Sequence, residues 1–157
     1  MRRSIKRGIG FGLTSGVITT LGLLIGLNAS THSKAVVISG ILIIAVADSL
    51  SDALGIHASE ETENSQAHGE IWISTLTTFL SKGVISLSFL IPVLFLPLSQ
   101  AVIVSIIWGL SLITTLNFYL ASKRGVNAIR STIEHVSIAI VVIIATHFIG
   151  GYISGIF

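Results

Sequence analysis

Two aspartates, Asp48 and Asp52, are the residues most able to do chemistry, because they lie in a segment, 41–55, that otherwise has the apolar composition of a membrane span. Carboxylates four residues apart on a helix share one face. A charged side chain at the centre of a bilayer costs ~3 kcal/mol on insertion scales, so two on one face indicate that an ion binds there. We expect the pair to lie on a path for ions or protons. The alternative is that a basic side chain of another helix neutralises the pair and nothing moves.

Polar residues continue this face toward the end of the same helix. Ser51, Gly55 and Ser59 follow at helical spacing, which predicts a continuous polar stripe. Oxygen ligands in series suit hard or borderline divalent ions, such as Mn²⁺, Fe²⁺ or Ca²⁺, better than Cu(I). The predicted ion pathway on this helix is therefore formed by Asp48, Ser51, Asp52 and Ser59.

The residues around the end of the stripe extend the hypothesis to a metal. His57 would favour a transition metal if it faced the stripe, and would otherwise be a polar residue at the membrane interface. The acidic run of Glu60, Glu61 and Glu63 is either a metal-collecting patch at the mouth of the path or a solvated face.

A lysine lies at the depth of the first aspartate. Lys82 is about eleven residues into the third apolar segment, which at a rise of about 1.5 Å per residue is ~16 Å from its edge. Asp48 is at a similar depth, and a buried lysine needs an acidic partner. We expect a Lys82–Asp48 ion pair, which is either a static structural pair or a gate from which an arriving metal or proton displaces the ammonium.

Composition assigns the chain to the membrane. Over half of the 157 residues are apolar, 10% are charged and the mean hydropathy is +0.92, whereas soluble domains are usually about a quarter charged. Apolar runs of about 18 residues or more, enough to cross the hydrocarbon core, recur along the chain. We predict an all-α, multi-pass integral membrane protein that forms one domain in the lipid bilayer, with five spans at about 9–27, 35–57, 71–96, 98–121 and 133–157.

Several functional classes are excluded by residue content. The chain has no cysteine and its one methionine is the initiator, so thiolate sites and redox motifs are ruled out. It contains no phosphate loop, zinc-protease helix or nucleophile elbow. We therefore expect neither an enzyme nor a prosthetic group. We expect no nucleic-acid partner, because the basic residues lie at the ends of the segments.

Basic residues predict the orientation. Residues 1–7 carry four positive charges and residues 123–130 carry three, and both segments lie on one side of a five-span protein. Because short cytoplasmic loops are rich in Lys and Arg, we expect a cytoplasmic N-terminus and a C-terminus that is outside or lumenal. The acidic linker 58–70 then faces the cytoplasm.

Glycines recur at four-residue spacing in two spans. Gly8, Gly12 and Gly16 lie in the first span, and Gly151 and Gly155 lie at the end of the fifth. Small residues at this interval allow close contact between membrane helices. We expect packing faces there, against either a helix of the same chain or a second subunit.

Two ionisable residues of the fifth span have alternative roles. Glu134 either interacts with the positive end of the helix dipole or acts as an ion ligand or proton relay. His147 lies deep in the span, where it either relays protons or hydrogen-bonds a neighbouring helix.

The order of several motifs resembles the vacuolar iron transporter family. Residues 12–22 are similar to its first-span pattern Asp-Gly-Leu-Val-Thr-Thr-Leu, and residues 47–59 are similar to its second-span pattern. Weaker similarity to the third and fifth spans is found at residues 78–81, 91–92, 128–134 and 150–152. The resemblance covers nearly the whole chain.

This resemblance implies a five-helix protomer, a homodimer with its pore between the first spans, and export of Fe²⁺ or Mn²⁺ from the cytoplasm against protons. Ser51, Gly55, Ser59 and Glu134 match the family pattern directly.

Five positions depart from the family pattern. Ser15, Asp52 and Ile56 stand where the pattern has Asp, Met and Glu. Asp48 stands where the family usually has a small residue, and Lys82 is an added charge. The carboxylates have moved from the first span to the second.

The sequence thus predicts a proton-coupled transporter of divalent transition-metal cations. Two alternatives stay open. One is a transporter or channel for a non-metal solute, with Asp48–Lys82 as its gating pair. The other is a non-transporting membrane scaffold in which this pair is structural.

Overall fold

The computed structural model of the chain describes residues 2–63 and 68–156, with side chains from residue 3 onward. Within these residues every regular element is helical. The elements are α1 (Arg2–Thr31), α2 (Lys34–Ile43), a π-helical segment (Ile44–Asp48), α3 (Ser49–Thr62), α4 (His68–Ser88), α5 (Leu90–Phe95), α6 (Leu98–Arg124) and α7 (Ala128–Ser154).

Five helical stretches of the described residues are long and apolar enough to cross a membrane, which confirms the predicted all-α, five-span architecture. Helices α2, π and α3 run on as one stretch, as do α4 and α5. The five stretches are Arg3–Thr31, Lys34–Thr62, His68–Phe95, Leu98–Arg124 and Ala128–Ser154.

The described part of the predicted 58–70 linker is mostly helical. Helix α3 continues to Thr62 and α4 begins at His68, because Ala58, Glu60 and Glu61 favour helix. Residues 64–67 of that linker, and residue 157 at the end of the fifth predicted span, lie outside the described residues.

Helix α1 is the centre of the bundle. It packs against α4, α7, α6 and α2, and its residues Val17, Leu21 and Leu24 are fully buried or nearly so. The other helices are arranged around it and expose much of their apolar surface, as expected for segments that face lipid. The bundle has one end that carries Arg7, Glu60 and Arg124, called the charged end below, and an opposite end near Ser30.

The glycines of the first span lie against α4. A Cβ at Gly8 would be 2.6 Å from the carbonyl oxygen of Ser74, and a Cβ at Gly12 would be 2.7 Å from that of Thr78. A Cβ at Gly16 would be 3.2 Å from Cγ of Lys82. The packing partner of this face is therefore within the same chain.

Farther along α1, the contact is with α7. A Cβ at Gly22 would be 2.7 Å from Cγ1 of Val142, and one at Gly150 would be 2.9 Å from Cβ of Ala29. The predicted packing role of Gly151 and Gly155 has no counterpart within the described chain. An added Cβ at Gly151 meets nothing, and one at Gly155 meets only its own helix.

Two irregularities interrupt the long helices. Pro92 has no N–H to donate and its ring conflicts with the carbonyl four residues earlier, so the third stretch breaks at Phe89 between α4 and α5. In the second stretch the π segment, which hydrogen-bonds Ser49 N–H to Ile44 O, changes the phase of the helix directly before α3.

We expect Gly12→Ala to lower the midpoint of thermal unfolding in detergent. The new methyl group would collide with Ser81 Oγ, and overpacking of this kind typically costs about 1–3 kcal/mol. The matched control is Gly151→Ala, which has open space and should leave the midpoint unchanged or slightly higher. Equal midpoints for the two variants would contradict the close α1–α4 contact.

Candidate ion-binding site

The ammonium of Lys82 lies between the two aspartates. Its Nζ is 2.6 Å from Asp48 Oδ2 and 2.5 Å from Asp52 Oδ2, and its side chain is completely buried. The Lys82–Asp48 pair expected from the depths of the two residues is present, and Asp52 makes a second contact that sequence reasoning had not included.

Ser15 of α1 completes the cluster. Its hydroxyl donates to Asp52 Oδ2 at 2.6 Å and accepts from Lys82 Nζ at 3.1 Å. The ammonium thus donates hydrogen bonds to Asp52 and Ser15 and makes an ion-pair contact with Asp48, so its three oxygen neighbours come from two other helical stretches. Sequence reasoning had not assigned Ser15 a role. The one signal was its position, because it stands where the resembling family has an aspartate.

Two glycines let the backbones approach closely enough for this contact. Gly16 leaves room on α1 for the aliphatic part of Lys82. Gly83, the residue after Lys82, is close to the π segment, because a Cβ there would be 3.2 Å from the carbonyl oxygen of Ala45. The π segment ends at Asp48, and such segments often occur at functional sites. The cluster is therefore held at the point where α1, α4 and the second stretch converge.

The cluster carries more acid than base. Two carboxylates and one ammonium give a formal charge of −1. Asp52 is 23% exposed and makes two hydrogen bonds, whereas Asp48 is 37% exposed. The Asp48 Oδ2 atom contacts the ammonium, but this contact lacks the alignment of a hydrogen bond. The atom has no hydrogen-bond partner among the described residues. Asp48 is thus the less constrained carboxylate.

A groove of about 690 Å³ leads to Asp48 from the opposite end of the bundle. The π segment, through Ile44 and Asp48, and helix α7 form its walls, and α1 forms its floor from Ile18 to Ser30. Its lining is apolar except for Asp48 and a few small hydroxyl-bearing side chains. Among the described residues that line this groove, Asp48 is the one charged group.

The predicted polar stripe is not continuous. Ser51, Gly55 and Ser59 are exposed on the outside of α3, whereas Asp52 and Glu60 turn toward the bundle. The inward face of α3 is set by Ser49 and Ala53, which are buried against neighbouring helices. Ser51 and Ser59 therefore do not join the two aspartates in one pathway.

The three glutamates of the predicted acidic patch do not form one group at the charged end, because they differ in burial and in the side chains that they contact. Glu60 is 2% exposed, pairs with Arg7 at 2.9 Å and accepts a short hydrogen bond from Ser74. Glu63 lies 3.7 Å from the same arginine and is half exposed, as is Glu61. Glu60 is therefore a structural link between α1, α3 and α4 and not a free metal-collecting group.

His57 belongs to the contact between α3 and α4. Its Nδ1 is 3.0 Å from Thr75 Oγ1, its Nε2 is 3.4 Å from Glu61, and its ring packs edge-on against Trp72. These partners turn it away from the aspartates.

The two candidates of the fifth span lie outside the cluster. Glu134 is exposed and pairs with Arg130 one turn earlier at 3.1 Å. His147 is exposed on α7, where its ring contacts Phe148. Neither side chain is brought to Asp48 or Asp52.

No group of three or more His, Asp or Glu side chains suited to a metal ion occurs among the described residues. The cluster has two carboxylates and one hydroxyl, and a tethered cation already lies between them. It can therefore accept one more positive charge, as a proton, or exchange its ammonium for another cation.

No family model, curated protein or solved structure matches this chain. The resemblance to the vacuolar iron transporter family therefore rests on the sequence motifs alone.

We expect the Asp48→Asn/Asp52→Asn double variant to unfold much more easily than either single variant. The double change leaves Lys82 buried with no counter-charge, and breaking a buried pair in this way costs about 3–5 kcal/mol. Each single variant keeps one carboxylate for one ammonium. Adding Lys82→Met to the double variant should restore most of the loss in thermal unfolding. A double variant as stable as wild type would contradict the assigned pairing.

Proposed function

We propose that this chain is a membrane transporter that carries a divalent transition-metal cation, Fe²⁺ or Mn²⁺, in exchange for protons. Asp48 and Asp52 are the ligands of the transported ion, and the Lys82 ammonium pairs with them between transport events. The observation that carries the proposal is the pair of carboxylates on a buried ammonium within a span.

Charge balance supplies a mechanism of exchange. A divalent ion that binds between the carboxylates displaces the ammonium from them. If Lys82 then gives up its proton, the formal charge of the cluster goes from −1 to zero, and no net positive charge is left in the membrane. The proton lost by Lys82 is then the one exchanged for the metal.

The shape of the bundle supports access from one side at a time. The apolar groove reaches Asp48 from the opposite end. Toward the charged end, the hydrogen bond between Ser15 and Asp52 and the ion pair between Arg7 and Glu60 join α1 to α3. An ion would enter or leave by the charged end only after these contacts separate.

The same groove supports a homodimer. Helix α1 lines this groove from Ile18 to Ser30, so a second copy placed over the groove would bring the two first spans together. A shared path between the copies would then have Asp48 of each copy on its wall. The apolar lining of the groove would also be covered.

The scaffold alternative is favoured by one observation. Lys82 is completely buried and contacts both carboxylates, which is also the arrangement of a static pair. A scaffold needs the pair for stability alone, whereas a transporter needs Asp48 for ion movement in a protein that stays folded.

We expect proteoliposomes containing the wild-type protein to take up Fe²⁺ or Mn²⁺ under an imposed pH gradient. Asp48→Asn should reduce the uptake about tenfold or more, because it removes one of two charged ligands. Its folding should be intact, because Asp52 still balances Lys82. Stopped-flow quenching of a metal-sensitive dye in the lumen measures the rate.

The comparison variant is Glu134→Gln, which removes an exposed carboxylate outside the cluster and should leave uptake unchanged. Full uptake by folded Asp48→Asn would refute the proposed ligand. Absence of uptake by folded wild-type protein would refute the metal transporter and favour the scaffold.

We expect cross-linking to locate the dimer on the groove. The chain has no cysteine, so single cysteines can be introduced without background. Ile149→Cys, on the groove, should yield dimers in membranes with a short, membrane-permeant bismaleimide. Tyr119→Cys, of similar exposure on α6, should stay monomeric. Dimers of the Tyr119 variant only, or of neither variant, would contradict the proposed interface.

A further inference from the structure

A second pocket lies at the charged end, between α1, α6 and α7, away from the aspartates. Its volume is about 290 Å³. Arg7 and Arg124 line it from two different helices, together with His135 of α7, and Phe11 and Leu120 line it about one turn farther into the bundle. The guanidinium of Arg124 extends across to α1, where Nη2 would be 3.6 Å from a Cβ at Gly10.

The charge of this pocket is uncompensated on one side. No acidic side chain of the described residues lines it. Arg7 is paired with Glu60 and Glu63 on its far side, but Arg124 makes no ion pair within the described residues. At the charged end, Glu60 and Glu61 lie on α3 and Glu70 lies on α4, whereas Glu134 on α7 is outside the pocket lining and pairs with Arg130.

Each wall of the pocket has an arginine at the charged end and an apolar side chain one turn farther along the helix. These are Arg7 and Phe11 on α1 and Arg124 and Leu120 on α6, and Thr14 and Asn117 line the deeper part. Phe11 is 43% exposed, so an apolar surface continues from the pocket toward the lipid. A ligand that fits this order has an anionic head and an apolar tail.

We propose that this pocket binds the phosphate of an anionic phospholipid of the cytoplasmic leaflet. The two arginines contact the phosphate, since guanidinium groups match its geometry, and the first part of an acyl chain lies over Phe11 and Leu120. Basic pockets between membrane helices on the cytoplasmic side are suited to such head groups. Inorganic phosphate offers the same anion but leaves the apolar part unused. The proposal depends neither on metal transport nor on Asp48.

The test measures lipid binding to the full-length protein in detergent by native mass spectrometry. Phosphatidylglycerol and phosphatidylcholine with identical acyl chains are titrated separately, and inorganic phosphate is a third arm measured by thermal shift. We expect phosphatidylglycerol to bind about tenfold more tightly than phosphatidylcholine, as expected for one well-placed charge interaction. Inorganic phosphate should produce no shift at the same concentration.

Two variants locate the effect. Arg124→Gln should reduce the preference for phosphatidylglycerol to near one, whereas Lys123→Gln, the neighbouring exposed residue outside the pocket, should keep it. Gly10→Leu should also remove the preference, because the new side chain fills the pocket. The fold should tolerate the change, because a Cβ at this position has ordinary contact distances of 3.5 and 3.6 Å.

Equal binding of the two lipids would overturn the proposal. Equal losses for Lys123→Gln and Arg124→Gln would overturn it too, since they would indicate diffuse attraction to a basic surface. A thermal shift with inorganic phosphate in the wild-type protein that is lost in Arg124→Gln would replace the lipid with a soluble anion.

Discussion

Burial of the Lys82 ammonium is the constraint on which the rest of the bundle depends. An ammonium in an apolar bundle is tolerated only when oxygen atoms surround it, and these come from Asp48, Asp52 and Ser15 on two other helical stretches. Three backbones must therefore approach one point. Gly16 and Gly83 remove the side chains that would keep α1 and the π segment away from α4. The glycine face of the first span is thus explained by the charge at the centre as well as by helix packing.

The two aspartates of the cluster differ in their contacts and in their exposure to the groove. Asp52 is held by both Lys82 and Ser15, whereas Asp48 is more exposed and borders the groove. A static pair needs only one acid for one base, and the second carboxylate adds a negative charge that must be stabilised in the membrane. The second carboxylate is explained if a divalent cation periodically replaces the ammonium, because two carboxylates balance its charge. Asp48 is the carboxylate that a cation in the groove would contact, because the groove ends there.

Much of the fold followed from hydropathy, because each span is a long apolar segment between short polar ones. The depth of Lys82 and Asp48 also followed, because helical rise converts residue counts into distance. The rotation of α3 did not. Most of its outward and inward residues are alike in polarity, and its orientation depends on α1 and α4. Glu60 turns inward because Arg7, more than fifty residues away in the chain, reaches it. Ser51 and Ser59 consequently face outward. Ser15 escaped assignment because a serine in a membrane helix usually bonds only its own backbone.

The contacts between α1 and α3 form a register that ties the centre to the charged end. Arg7 pairs with Glu60, and Ser15 bonds Asp52, so the two contacts are eight residues apart on both antiparallel helices. Eight residues correspond to ~12 Å of helix. A sliding or tilting of α3 that released Asp52 from Ser15 would also strain the pair of Arg7 and Glu60. The two contacts therefore act on one interface. If another cation replaced the Lys82 ammonium at the centre, a resulting shift of α3 would therefore change the Arg7–Glu60 contact at the charged end directly.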